Sequence, residues 1–300
     1  MKNIRQISST FKNATVHPES FQQLRYLLVW LIIISFSAIF IFVGYQYANR
    51  YGLVIGLFSS IGLVALLYFY DSIHLNSMFP TQELEGHDPW GILQKSNRLA
   101  LSIGIHPPKV AIVDSRTPFV FTTGFVQRRS SLFVSTELLK RLSTEEVEAI
   151  LTLELLCIKH HHTSIATAAA TFNCLLRILG EILDLVLAPP FMHQHRALPL
   201  RPATFVLTPL MAIITRSFVS QRAVLNLDQA ATQMLGEGHT LARALWKLDA
   251  YSKTLPLDIS PADAHLFVVN PLAKRKWTQH FFTHPEIESR VRLLAGRYPL

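Results

Sequence analysis

The sequence predicts an α+β chain, mostly helical, in which an N-terminal transmembrane helix pair precedes a water-facing domain built on a small sheet. Three observations predict it. Of the 300 residues 50% are apolar and only 16% are charged, against roughly a quarter charged in soluble domains, so part of the surface has to face something other than water. Two runs, 26–45 and 51–70, continue for twenty residues each without a charge. At about 1.5 Å per helical residue, each matches the roughly 30 Å hydrocarbon core of a bilayer. From Thr81 onward the pattern turns to short alternating stretches and amphipathic helices. The same composition excludes a disordered chain, a collagen-like repeat and a disulfide scaffold, and the two cysteines, Cys157 and Cys174, suit a reducing compartment.

The first apolar run is too long for a signal-peptide core and is followed at once by the second. Tyrosines close both runs, where aromatic belts form. Lys2, Arg5, Lys12 and Arg25 precede the first run, and only Arg50 lies in the turn between the two. Positive charge stays on the cytosolic side, so the N-terminal segment 1–25 and everything after Asp71 are expected in the cytosol. The net charge of +8 suits an anionic inner leaflet, with Lys274-Arg275-Lys276-Trp277 as the densest basic cluster. No nucleic-acid motif accompanies it, so the expected partner is the lipid bilayer and not nucleic acid.

The domain 81–300 begins with a helix over 88–101. A strand at 109–113 is placed by Pro107 and Pro108, and two more, 119–124 and 131–135, flank the polar turn Gln127-Arg128-Arg129. Ser143-Thr144-Glu145-Glu146 is a capping box that launches a helix to His161. Residues 163–187 hold eleven Ile, Leu, Val or Phe, each favouring insertion by about 0.5 kcal/mol at best. They also hold Arg177, Glu181 and Asp184, each opposing it by about 3 kcal/mol, so the segment does not insert as a lone span. Pro202 and Pro209 make 202–215 a short or broken segment, and 188–202, with Pro189, Pro190 and Pro199, reads as a loop. Together 163–216 is expected to form a membrane-associated helical hairpin that interrupts the domain. Helices at 217–235 and 239–251 follow.

Pro107-Pro108-Lys109-Val110-Ala111-Ile112, Thr122-Thr123-Gly124, Val134-Ser135-Thr136-Glu137-Leu138-Leu139, Thr283-His284-Pro285 and Arg290-Val291 stand in an order that resembles the HtpX-type membrane zinc metallopeptidases. The resemblance covers nearly the whole chain. It implies a zincin-like domain on the cytosolic face of a bacterial-type inner (plasma) membrane, in a multi-pass protein that cleaves damaged membrane proteins. The family binds zinc through an HExxH helix, whose two histidines share one face while the glutamate activates the metal-bound water. Here the aligned motif reads Leu153-Glu154-Leu155-Leu156-Cys157, and none of the 13 histidines lies in HExxH or its inverse. The family's third ligand, a glutamate, falls on Val224, with Asp228 retained four residues later, and its asparagine on the substrate-facing strand falls on Phe119.

Two readings follow. In the first, no metal is expected, since catalytic zinc needs about three protein ligands to lower the pKa of its water from about 15.7 to about 7. The chain is then a pseudopeptidase that keeps Glu154 as a remnant, with His284 near the cleft. It binds membrane-protein clients or regulates an active protease, taking extended polypeptide by β-augmentation between the strand ending at Gly124 and the helix of Glu154. In the alternative, displaced ligands Cys157, His161 and Asp228 hold zinc and the chain is an active metalloendopeptidase of membrane-protein quality control. His160-His161-His162 also reads as cations near a helix C-terminus. Glu154 shares a stripe with Val147, Leu151 and Ile158 and is expected to be buried, with Arg222 or His284 as its partner.

Overall fold

The computed structural model describes residues 18–70, 79, 81–83, 88–187, 202–257, 259–260, 263–272 and 284–296. The N-terminal basic residues Lys2, Arg5 and Lys12, the prolines 189, 190 and 199, and the cluster 274–277 lie outside the described residues.

Both apolar runs belong to one helical element, α1 (Pro18–Tyr70), broken at Ala48 (φ −137°, ψ 23°) and Asn49 (φ 48°, ψ −126°). At the break the chain turns back and the two limbs pack. A Cβ on Gly52 would stand 1.7 Å from the carbonyl oxygen of Gly44, and one on Gly56 would stand 2.5 Å from that of Phe40. Farther down, the Ser60 hydroxyl donates to Gly56 O at 2.9 Å and stands 3.2 Å from Ser37 O. Small residues thus face the partner limb while large apolar ones face outward: Phe42 is 63% exposed and Phe58 69%. That is the inverse of a water-soluble helix pair and the pattern of helices packing in lipid. The stretch Gln23–Phe69 is long and apolar enough to cross a membrane. Gly52→Val is expected to force the limbs apart at about 1–3 kcal/mol, read as a lower melting temperature in detergent; an unchanged value would show that the limbs are not in contact.

The sheet has the order β1 (Thr81–Glu83), β2 (Lys109–Val113), β4 (Ser131–Ser135), β3 (Val120–Thr123). β2 and β4 run parallel with Lys109 opposite Ser131, while β1 and β3 are antiparallel edges. Alternation sends Val110, Val120, Leu132 and Val134 to one face, against the helix bearing Glu154, and Ala111, Phe119, Phe121 and Phe133 to the other. Phe121 stacks on Phe133 at 4.8 Å, and Phe267 packs on Phe121 at 4.6 Å. Phe267 also forms a backbone bridge with Phe121, and Val268 N donates to Val120 O at 3.3 Å. The outer edge of β3 is therefore occupied at two of its four residues by the chain itself.

The helices are α2 (Ile92–Ile103), α3 (Thr136–Arg141), α4 (Thr144–Lys159), α5 (His162–Leu187), α6 (Pro202–Phe218), α7 (Gln221–Leu235), α8 (His239–Thr254) and α9 (Ile287–Ala295). The capping box at the start of α4 is complete, with Ser143 accepting from Glu146 N and Glu146 accepting from Ser143 N. Three expectations are corrected. α4 stops at Lys159, because His161 takes φ 58° and α5 starts anew at His162. α6 runs unbroken through Pro209, reaching Phe218. The helix expected at 217–235 starts at Gln221, because Ser220 is extended (φ −108°, ψ 132°).

α5 and α6 form an antiparallel hairpin in which Asn173, Thr215 and Asp184 are buried. Asn173 donates to Thr215 at 2.7 Å. Asp184, costly as an isolated charge, accepts from Ala203 N at 2.7 Å, Thr204 N at 3.1 Å and the Thr204 hydroxyl at 2.6 Å, and so caps the start of α6. Arg177 pairs with Glu181 at 3.2 Å one turn earlier. The outward faces are mostly apolar, with Val186 74% and Val206 71% exposed, and their charges Arg177 and Glu181 are paired.

Candidate functional site

α4 lies between the sheet and α7, and eleven of its sixteen residues are buried. Its side chains Leu153, Glu154 and Cys157 line one cavity with Thr122 from β3, His162 and Thr163 from α5, Val224 from α7, His265, His284, and Arg290 from α9. The cavity volume is about 30 Å³, room for about two water molecules.

Glu154 is 2% exposed, as its stripe implies. Its partner is neither Arg222, which is exposed on the first turn of α7, nor His284. Instead the Thr122 hydroxyl donates to Glu154 Oε2 at 2.6 Å and stands 2.9 Å from the Thr163 hydroxyl. The alternation that buries Val120 also brings Thr122 to this face. Burial pushes the Glu154 carboxyl up to about 7, against the pull of the Thr122 bond and the Arg290 charge. This carboxyl therefore holds its proton well above the usual carboxylate range.

Arg290 and Asp228 form the charged floor of the site. Arg290 Nε and Nη2 donate to the two carboxylate oxygens at 2.7 Å each, and Nη1 donates to Val268 O at 2.7 Å. The retained aspartate is thus fully engaged by an arginine, a pairing that sequence spacing across 62 residues did not disclose. The signal in the sequence was Arg290-Val291, one of the stretches that carry the family resemblance.

The three histidines of the cavity are His162, His265 and His284. Burial first, then neighbouring charge, drives His162 down to about 4 and His284 down to about 3. Both are uncharged at neutral pH, which corrects the reading of His162 as a helix-end cation. His284 lines the same cavity as Glu154 and hydrogen-bonds to the Phe267 backbone. His265 places Nε2 2.9 Å from Ala166 O.

The donor set does not fit zinc. Leu153 and Val224 offer hydrocarbon, and burial, followed by the charges of Glu154 and Asp228, pushes the Cys157 thiol far above its ordinary value, so the thiolate that binds metal is suppressed. The displaced set fares no better. His161 does not line the cavity but stacks on Tyr26, ring centroids 4.3 Å apart, and Asp228 is bound by Arg290. Among the described residues no three His, Cys, Asp or Glu side chains form a group able to hold a metal ion. Phe119 faces away from Glu154, in the aromatic cluster with Phe79 and Phe267.

Residues 91–298 match the model of Peptidase family M48. A protein named Protease HtpX homolog from Thermodesulfovibrio yellowstonii is 29% identical over 277 residues, covering 89% of this chain and 98% of its own. One of the same name from Pelotomaculum thermopropionicum is 28% identical over 275 residues, with 89% and 97% covered. A crystal structure of S. mikatae Ste24p aligns at 16% identity with a TM-score of 0.48, over 92% of this chain and 65% of that one.

Proposed function

Because the chain belongs to peptidase family M48 as an HtpX-like member, we propose that it is a membrane-held pseudopeptidase, one that keeps the scaffold and engages membrane-protein segments or an active protease without hydrolysing peptide bonds. The observation that carries this reading is the surrounding of Glu154. A general base needs a metal-bound water to deprotonate, and here it is a buried, protonation-prone carboxyl bonded to Thr122, with Leu153, Val224 and a protonated Cys157 at the positions that the family resemblance assigns to zinc. Zinc, where the family holds it, supplies the activated water; no residue of this set replaces it.

Membrane residence is supported by the outward apolar faces of α1 and by the inward-turned polar groups of the α5–α6 hairpin. We place the folded domain on the cytosolic side, following the basic residues that precede α1. An extended client that adds to β3 has to displace Phe267 and Val268 from its outer edge.

The test is zinc content and proteolysis of the purified full chain beside Glu154→Gln. Zinc well below stoichiometric and equal inactivity of both proteins are expected. Stoichiometric zinc with cleavage that Glu154→Gln abolishes would sink the reading. The combined change Leu153→His, Cys157→His and Val224→Glu is expected to bring zinc binding back, measured as metal per chain after dialysis.

A further inference from the structure

The open end of the α1 hairpin, where both limbs meet the folded domain, carries a basic ledge made by the short turn between β3 and β4. Gln127–Arg129 form a single 3₁₀ turn there, with Arg128 and Arg129 exposed. The Arg129 guanidinium lies 4.5 Å from the centre of the Tyr68 ring and 5.6 Å from that of Phe69, near the end of the second limb. On the first limb Arg25 donates to Phe218 O at 3.2 Å, one residue before Tyr26, which packs on Phe125 just ahead of the same turn. Among the described residues neither Arg128 nor Arg129 has a carboxylate partner.

This arrangement has a chemical meaning. Guanidinium is a planar fork that grips phosphate by paired hydrogen bonds, and its stacking on an aromatic face leaves those N–H groups unspent. Tyr26, Trp30, Tyr68 and Phe69 ring the same end of the hairpin, the level at which aromatic side chains sit among lipid headgroups. At the far end Tyr45, Tyr47 and Tyr51 accompany a single charge, Arg50. Of the two ends, the one at the folded domain therefore joins aromatic rings to the larger share of positive charge.

We propose that Arg128 and Arg129 form a binding site for the phosphate of an anionic phospholipid headgroup, which seats the folded domain against the bilayer at a fixed height. The proposal rests on the membrane reading above. Basic residues at a membrane surface each favour anionic lipid about fivefold, so the pair supplies about thirtyfold.

The experiment uses the full chain in non-ionic detergent and fluorescent phosphatidylglycerol, displaced by unlabelled phosphatidylglycerol, phosphatidylcholine or inorganic phosphate. The parent is expected to prefer phosphatidylglycerol to phosphatidylcholine, Arg128→Gln to lose about fivefold of that preference, and Arg128→Gln/Arg129→Gln to lose most of it. Among the described residues Arg128 makes no side-chain hydrogen bond or ion pair, so the single variant guards against a loss caused by unfolding. Equal binding of the two lipids by the parent, or a preference that survives in the double variant, overturns the proposal. Displacement by inorganic phosphate as effective as by phosphatidylglycerol also overturns it, because the site then takes free phosphate. Alkaline extraction of membranes from expressing cells is read separately: parent and variants are expected to stay in the pellet, and release of the parent would overturn the membrane reading itself.

Discussion

Arg290→Met is expected to destabilise the fold by about 3–5 kcal/mol, the range for removing one partner of a buried ion pair. The two side chains are 2% and 0% exposed, so no water takes over the Asp228 carboxylate when the guanidinium is gone. The loss also frees Val268 O, the third acceptor of the same arginine, and loosens the segment that covers β3. Denaturant titration in detergent measures the effect. Asp228→Leu together with Arg290→Met removes both charges and is expected to recover most of the loss, since a well-packed apolar pair can replace a buried ionic one at little cost. A double variant no better than Arg290→Met would mean that the pair is not the source of the effect.

Glu154→Gln is expected to gain stability over the parent as pH rises, by about 3 kcal/mol between pH 5 and pH 8. The carboxyl titrates near 7 in the fold and near 4.3 in an unfolded chain. The raised value means that its stabilising contribution is complete below about pH 4.3 and is lost as pH rises through 7, because the folded state must then ionise a buried group. His162 and His284 work the other way. Their lowered values, about 4 and about 3, contribute stability that is present above about pH 6.5 and lost as pH falls through the folded values. Those contributions are common to both proteins and cancel in the difference, so melting curves of the two across this range isolate the carboxyl. A difference that does not change with pH would show that Glu154 ionises normally.

Much of the fold was legible because local rules agree with the tertiary outcome. Pro107 and Pro108 leave Lys109–Val113 no choice but extension, and the box at Ser143 fixes the start of α4 with two reciprocal bonds. β1 and α9 were not read, since three residues carry no alternation to recognise and a nine-residue helix shows only two periods. Pro209 misled because a proline costs a helix one backbone bond without always ending it, and α6 continues through it while bonded to α5.

The site divides along the same line. Burial of Glu154 follows from helical spacing, and the mismatch of Leu153 and Val224 with metal binding follows from their chemistry alone. Thr122 could not be assigned as the partner, because 32 residues separate it from Glu154 and only the sheet brings them together. The pairing of Cys157 with His161 assumed an unbroken helix. One residue at φ 58° turns that histidine onto Tyr26 and brings His162 to the cavity in its place.

The backbone bridge between Phe121 and Phe267 closes part of one sheet edge. Unsatisfied ladder groups on a sheet's rim invite other copies to zip on, a hazard that grows when proteins are crowded into two dimensions. Folding a piece of the chain along that rim removes one such template at β3, and a polypeptide adding there would have to displace a tethered rival.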